Sequence, residues 1–350
     1  MKILVSALEH SANIHLKSLL HHLPEDTELL GIFDKDLGEP IVDLQAEAVM
    51  GYVDAIKKIG FYLKLAKQMV DLADKADKIL LIDSSGFNLP LSKKIKNKYP
   101  NKEIIYYILP EAWAWKKGRI KKLENRIDTL ASILPFEKEY YAPDINIRYI
   151  GHPLLDQIKE FKTAINDNIE TITYMPGSRK SIIRKLMPIF RDIAGKLKKK
   201  AIVVIPNHFS QEETNELYGN LKGFRVERDG RKALLESDFA FICKGTATLE
   251  ASLIGTPFVL VYKFAFLDYI VYKLLVKIKF IGLGNILLKA YQNRVLHPEL
   301  IQHEVIAQNL IGTMQAVDRR AFYHDSLNLI EYLQHGSAKN IAKIITKKKT

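Results

Sequence analysis

The stretch FAFICKGTATLEASLIGTPFVLVY, residues 239–262, decides the fold. Phe239–Cys243 and Phe258–Tyr262 are short, continuously apolar runs bounded by turn residues, the pattern of strands buried on both faces. Between them Gly245-Thr246-Ala247-Thr248-Leu249-Glu250 opens a helical segment, which Gly255-Thr256-Pro257 closes. Strand, helix and strand in this order make a βαβ unit with parallel strands.

Working outward, the same alternation recurs. Strand-like runs at 3–6, 29–33, 78–83, 103–109 and 129–134 are separated by segments of helical period, and after Gly151-His152-Pro153 the pattern restarts with runs at 171–175 and 201–205. The chain therefore reads as α/β, with two similar Rossmann-like domains, 1–165 and 166–350, joined near residues 155–170. The last part, from His303, is helical by pattern and leaves open whether it returns to the first domain.

Composition narrows the function. With 47% hydrophobic and 26% charged residues the chain is an ordinary globular protein rather than a disordered or fibrous one. Its single cysteine, Cys243, forbids an intrachain disulfide and a multi-cysteine metal site, which fits a reducing compartment. Charged residues interrupt the most lipid-like stretch, 264–288, below the length of a spanning helix, so a cytoplasmic location is expected. A net charge of +12 asks for an anionic partner, whether lipid head group, nucleic acid or phosphorylated small molecule.

In open parallel sheets ligands collect at the carboxyl ends of strands. Three segments stand there: Asp83 to Asn88, Pro176-Gly177-Ser178-Arg179, and Gly245 to Glu250. The Gly245, Thr246 and Thr248 turn offers unpaired amides, hydroxyls and a helix N-terminus to a phosphate, and Glu250 offers a carboxylate to a ribose; a capped helix start is the plainer alternative. Arg179 can grip a diphosphate and offset charge on a leaving nucleotide. Asp83 can act as a general base or simply cap the next helix. Asp34-Lys35-Asp36 lies in a polar loop without convergent ligands, so neither a metal nor another cofactor is expected.

The cations are patterned too. Lys116, Arg119, Lys122 and Arg126 form a stripe beside Trp113 and Trp115. In residues 50–70 the spacing turns Val53, Ile56, Ile59, Leu63 and Ala66 to a core and leaves Phe61 and Leu65 among lysines on the opposite face. A similar mixture recurs in 264–280. Trp and exposed apolar residues ringed by Lys suit a membrane surface, against the plainer reading of buried helices with solvated faces.

Taken in order, these motifs resemble the lipid-A-disaccharide synthases. The resemblance covers nearly the whole chain through Ala48-Val49-Met50-Gly51-Tyr52-Val53, Asp83 to Asn88, Pro110 to Trp115 with Gly118-Arg119, Leu134-Pro135-Phe136-Glu137, Gly151-His152-Pro153-Leu154, Pro176 to Arg179, Gly245 to Glu250 with Gly255-Thr256-Pro257, and Asn285. It implies a GT-B architecture and a metal-independent, inverting transfer of 2,3-diacylglucosamine from UDP-2,3-diacylglucosamine to 2,3-diacylglucosamine 1-phosphate. It also implies Asp83 as the base, Arg179 and the Gly245–Thr248 turn on the diphosphate, and Glu250 and Asn285 on the nucleotide. Phe61, Leu65, Trp113 and Trp115 would meet anionic lipid on the inner face of the inner membrane, with no nucleic-acid partner. Three segments differ from the family pattern: the first loop reads Leu8-Glu9-His10-Ser11-Ala12-Asn13; Ser85-Gly86 replaces a Pro-Asp, leaving Asp83 the sole carboxylate candidate there; and Gly284 replaces the Pro before Asn285, with no Ala-Gly-Arg after the leucines that follow. The rival readings are a UDP-sugar epimerase of the same architecture and a non-enzymatic anion binder.

Overall fold

The computed structural model describes residues 1–43, 55–115, 117–264 and 279–347, with the side chains of 55–58 and 115 excepted. The expectations resting on residues 48–53, on the Trp115 side chain and on most of 264–280 lie outside the described residues. The chain divides into two compact units, one made of Met1–Asp156 with His335–Thr350 and the other of Gln157–Gln334.

The first unit holds a parallel sheet of β1 (Lys2–Ser6), β2 (Glu28–Ile32), β3 (Lys78–Ile82), β4 (Ile104–Tyr107), β5 (Thr129–Ser132) and β6 (Ile147–Tyr149), in the order β2-β1-β3-β4-β5-β6. Period-2 alternation splits its core into two layers. Leu4, Ile79 and Leu81 face a cluster with Leu65, Met69 and Ile95 from the helices Ala55–Leu72 and Ser85–Lys98. Ile3, Val5 and Leu80 face Leu16 and Leu19 of the helix His10–Leu20 together with Ile341, Ala342 and Ile345 of the helix Ser337–Thr346. The chain's last helix thus completes the layer begun by its first. It is tied there by Tyr107, whose hydroxyl lies 3.2 Å from Ser337 Oγ, and by Asn340 Nδ2, which donates to the Ile150 carbonyl at 3.1 Å.

The second unit repeats the plan with β7 (Thr171–Met175), β8 (Lys200–Val204), β9 (Phe224–Glu227), β10 (Phe239–Cys243), β11 (Phe258–Tyr262) and β12 (Glu299–Ile301), in the order β12-β11-β10-β7-β8-β9. Every pairing is parallel, with Met175 opposite Ile242 and Cys243 opposite Val261. The short edge strands β6, β9 and β12 have no counterpart among the sequence expectations, because few of their residues are buried and an apolar run never forms.

Strand order fixes where ligands belong. In each sheet the first strand has its successors on one side and a later strand on the other, so a crevice opens between β1 and β3 in the first unit and between β7 and β10 in the second.

Candidate active site

At the first crevice, β3 ends in an abrupt turn. Asp83 and Ser84 both take left-handed backbone conformations, with φ of 48° and 41°, before the helix Ser85–Lys98 begins. Asp83 is half-buried, and burial pushes its carboxyl above the usual carboxylate range, helped by the charges of Glu9 and Glu111 and opposed by the Ser84 amide. Glu9, from the loop after β1, accepts a 3.1 Å hydrogen bond from Ser84 Oγ. Asp83 therefore does not stand alone; the second carboxylate comes from the other side of the crevice. The signal was present in the sequence, since the loop after the first strand is where a switch point recruits residues. Arg119 Nη1 donates to Ser85 Oγ at 2.7 Å, so the turn is held on this side as well.

Beside this turn lies a cavity of about 510 Å³, walled mainly by Leu8, Ile59, Tyr62, Leu63, Phe87 and Pro90, with Glu9, Ser84 and Lys94 at its polar parts. Its apolar wall corrects the expected membrane face. Leu65 is 2% exposed in the core, and Phe61 packs against the same cluster. Ile59, Tyr62 and Leu63, by contrast, are 61%, 45% and 56% exposed. The helix is apolar on two adjoining sides: Phe61, Leu65 and Met69 turn toward the core, whereas Ile59, Tyr62 and Leu63 line the cavity. Trp113 is also a correction. It is buried at 9% exposure, its ring edge-on to Phe136 at 5.0 Å, and presents no face to lipid.

At the second crevice, Gly177 has φ of +89°, and a Cβ there would lie 3.2 Å from Cys243 Sγ, so only glycine lets the two strand ends approach. Arg179 precedes the helix Lys180–Leu197 and is exposed, its Nη1 3.4 Å from the Tyr262 hydroxyl. Across the crevice Gly245 caps the helix Thr246–Ile254; the buried Thr248 donates its hydroxyl to the Gly245 carbonyl at 2.8 Å, while Thr246 is exposed. As first-turn groups, the N–H of Thr246 and of Ala247 have no acceptor within the helix. Burial pushes the Cys243 thiol up to about 12, against the positive fields of Arg179 and Lys244. Two cations, free amides and a helix dipole thus converge on one strand-end turn.

Glu250 projects into a second, polar cavity of about 530 Å³ lined by Asn207, Glu227, Arg228, Asp229, Gly230 and Arg231. Arg231 Nε donates to Glu250 Oε1 at 2.9 Å and is itself anchored on Gln157. Arg231 is not among the sequence candidates because β9, the strand before it, is not legible as one; Asn207 follows the legible β8, but nothing local marks it as a ligand residue. Asn285 is a correction: it is fully buried and donates to the His297 carbonyl and Glu299 Oε1, both at 2.8 Å. Its oxygen accepts from the amides of Leu296 and His297. With all its capacity used internally, Asn285 fixes the turn before β12 and has nothing left to offer a nucleotide.

A family model described as lipid-A-disaccharide synthetase matches residues 3–348. The chain is 47% identical to a lipid-A-disaccharide synthase of Helicobacter pylori over 97% of both chains, and 44% identical to one of Campylobacter jejuni over 98% of both. Among solved structures it is similar to MurG of Acinetobacter baumannii, with a TM-score of 0.61 at 12% identity, covering 99% of each chain. It is also similar to a UDP-GlcNAc 2-epimerase of Methanocaldococcus jannaschii, with a TM-score of 0.59 at 13% identity, again covering 99% of each. At these identities the structural likenesses establish the GT-B fold.

Proposed function

The chain belongs to the lipid-A-disaccharide synthetase family and is a glycosyltransferase, and from that premise we propose the full reaction: inverting transfer of 2,3-diacylglucosamine from UDP-2,3-diacylglucosamine to the 6-hydroxyl of 2,3-diacylglucosamine 1-phosphate. The products are UDP and the β-1,6 disaccharide 1-phosphate. The observation that carries the reading is Asp83, a carboxylate of raised basicity at a strand-end turn whose next residue borders an apolar cavity.

In this reading the acceptor oxygen attacks the anomeric carbon, its proton passes to Asp83, and the bond to the diphosphate breaks. Burial and the Glu9 charge make Asp83 a better proton acceptor than an exposed aspartate. The departing diphosphate is met by the Thr246 and Ala247 amides, Arg179 and Lys244, donors fixed before charge develops. Glu250, oriented by Arg231, holds the ribose in the polar cavity, and Asn285 acts only as a support. The apolar cavity of the first unit takes acyl chain. Ile59, Tyr62 and Leu63, exposed near Lys64 and Lys67, rest on anionic lipid at the inner face of the inner membrane, apolar residues entering and lysines meeting head groups. No helix among the described residues is long and apolar enough to cross a membrane.

The test is incubation with both lipid substrates in detergent with EDTA, following UDP release and disaccharide mass. Disaccharide formed only when both are present is expected. UDP-sugar turnover without acceptor points to an epimerase or hydrolase and rejects the proposal.

A further inference from the structure

We propose that Asn88 and Tyr106 are positioning residues for Asp83: they clamp its carbonyl and so hold the Asp83–Ser84 turn in its left-handed conformation, which sets where the carboxylate stands. The inference rests on Asp83 being the base. Two successive non-glycine residues at positive φ cost of the order of 1–3 kcal/mol each, and such a turn persists only where its surroundings over-determine it.

The surroundings here do so. Asn88, at 0% exposure, spends one amide hydrogen on the Ile82 carbonyl at 3.2 Å and the other on the Asp83 carbonyl at 2.9 Å. Its own oxygen accepts from Ser6 Oγ of β1 at 2.6 Å, which fixes the amide's orientation from the opposite side of the crevice. The Tyr106 hydroxyl, one strand away on β4, donates to the same Asp83 carbonyl, and the Asp83 amide donates to the Tyr107 carbonyl at 3.0 Å. Burial raises the Tyr106 phenol, so it remains a donor at every working pH. Asp83 is thus pinned through both of its backbone groups, and only its side-chain torsions remain free. A catalytic carboxylate on a pinned backbone is pre-organised, whereas a shift of about 1 Å costs on the order of a hundredfold in rate.

The experiment compares Tyr106→Phe, Asn88→Ala and Ser92→Ala. Tyr106→Phe keeps the buried ring and deletes one donor. Ser92→Ala removes a fully buried hydroxyl from the helix that carries Asn88, bonded to the Leu89 carbonyl at 2.9 Å and making no bond to the turn, as a control for stability alone. Expected for Tyr106→Phe are a kcat lowered about tenfold, a KM for the UDP-sugar and a UDP affinity within twofold of wild type, and a displaced acid limb of the kcat profile. Asn88→Ala should lose more, and Ser92→Ala should keep kcat while melting earlier. If Asn88→Ala does not fold, Tyr106→Phe decides alone. A Tyr106→Phe enzyme with wild-type kcat and an unmoved acid limb overturns the inference, as does an equal kcat loss in Ser92→Ala. Asp83→Asn assayed alongside separates the two failures: an active Asp83→Asn enzyme removes the base itself, and an inactive one beside a normal Tyr106→Phe removes only the clamp.

Discussion

Glu137→Gln should leave the protein unchanged in acid and stabilise it in base. Glu137 is 1% exposed, in the turn after β5, and burial pushes its carboxyl up to about 8, opposed by the Ser132 hydroxyl. The hydrogen-bond count agrees with a neutral acid. Ser132 Oγ has one proton, is 2.8 Å from the Leu134 carbonyl, receives the Leu134 amide at 3.1 Å, and touches Glu137 Oε2. If that proton goes to the carbonyl, Glu137 must supply the other. From 4.5 to about 8, at 1.36 kcal/mol per pH unit, ionising Glu137 in the folded chain costs about 5 kcal/mol more than in the unfolded one. The folded state holds this proton more tightly, so the stability is whole below about pH 4.5 and is lost as pH rises through about 8. Glutamine donates to Ser132 Oγ as the acid does and has nothing to ionise. Denaturant unfolding of both proteins at pH 5 and pH 9 checks this, and the only two tryptophans, Trp113 and Trp115, both lie in the first unit and report its unfolding. We expect equal stability within about 1 kcal/mol at pH 5 and a variant more stable by several kcal/mol at pH 9. Curves that run parallel from pH 5 to pH 9 would refute a buried neutral Glu137.

Three further outcomes are expected. Asp83→Asn should lower turnover at least about a hundredfold with UDP affinity retained, and wild-type kcat should fall with acidity at a pH above the ordinary aspartate range, because the base protonates earlier; near-normal turnover would end its role. Glu250→Ala should weaken UDP binding about tenfold by calorimetry, since both the ribose contact and the partner of Arg231 go, and an unchanged affinity rejects that contact. Leu65→Ala should cost about 2–5 kcal/mol of stability and leave vesicle binding intact, while Leu63→Ser should weaken vesicle binding at little cost in stability; the reverse pattern would restore the face first read from the sequence.

How much was legible depended on burial. β10 and β11 are legible to the residue because each is an uninterrupted apolar run buried on both faces, and β7 because its β-branched and aromatic residues form a compact run buried from Ile172 onward. β9, with its ends half-buried and its middle exposed, carried no such run, and with it went the wall that includes Arg231. Asp83, Arg179 and the Gly245 turn were visible because each directly follows a buried strand. Glu9 lies in the loop after β1, so its place at the switch point is legible, but its partner is Ser84, far along the chain, and no local spacing announces that pairing. The helix Ala55–Leu72 defeated the face assignment for a different reason. It is apolar on more than one side, and periodicity cannot tell the side that meets a sheet from the side that lines a cavity.

The last helix has a consequence for how the chain is made. Ile341 and Ile345 are fully buried against Leu16 and Leu19, a contribution of about 3–6 kcal/mol that is absent until residues 341–345 have been synthesised. Gln157–Gln334 is continuous in sequence and can close its core as it emerges, whereas the N-terminal unit must wait with one layer uncovered. The half synthesised first is therefore the half that finishes folding last. During that interval an apolar face of the helix His10–Leu20 is open to chaperones and to other nascent chains, and a truncation before Ile341 leaves its defect in the layer built by residues 10–20.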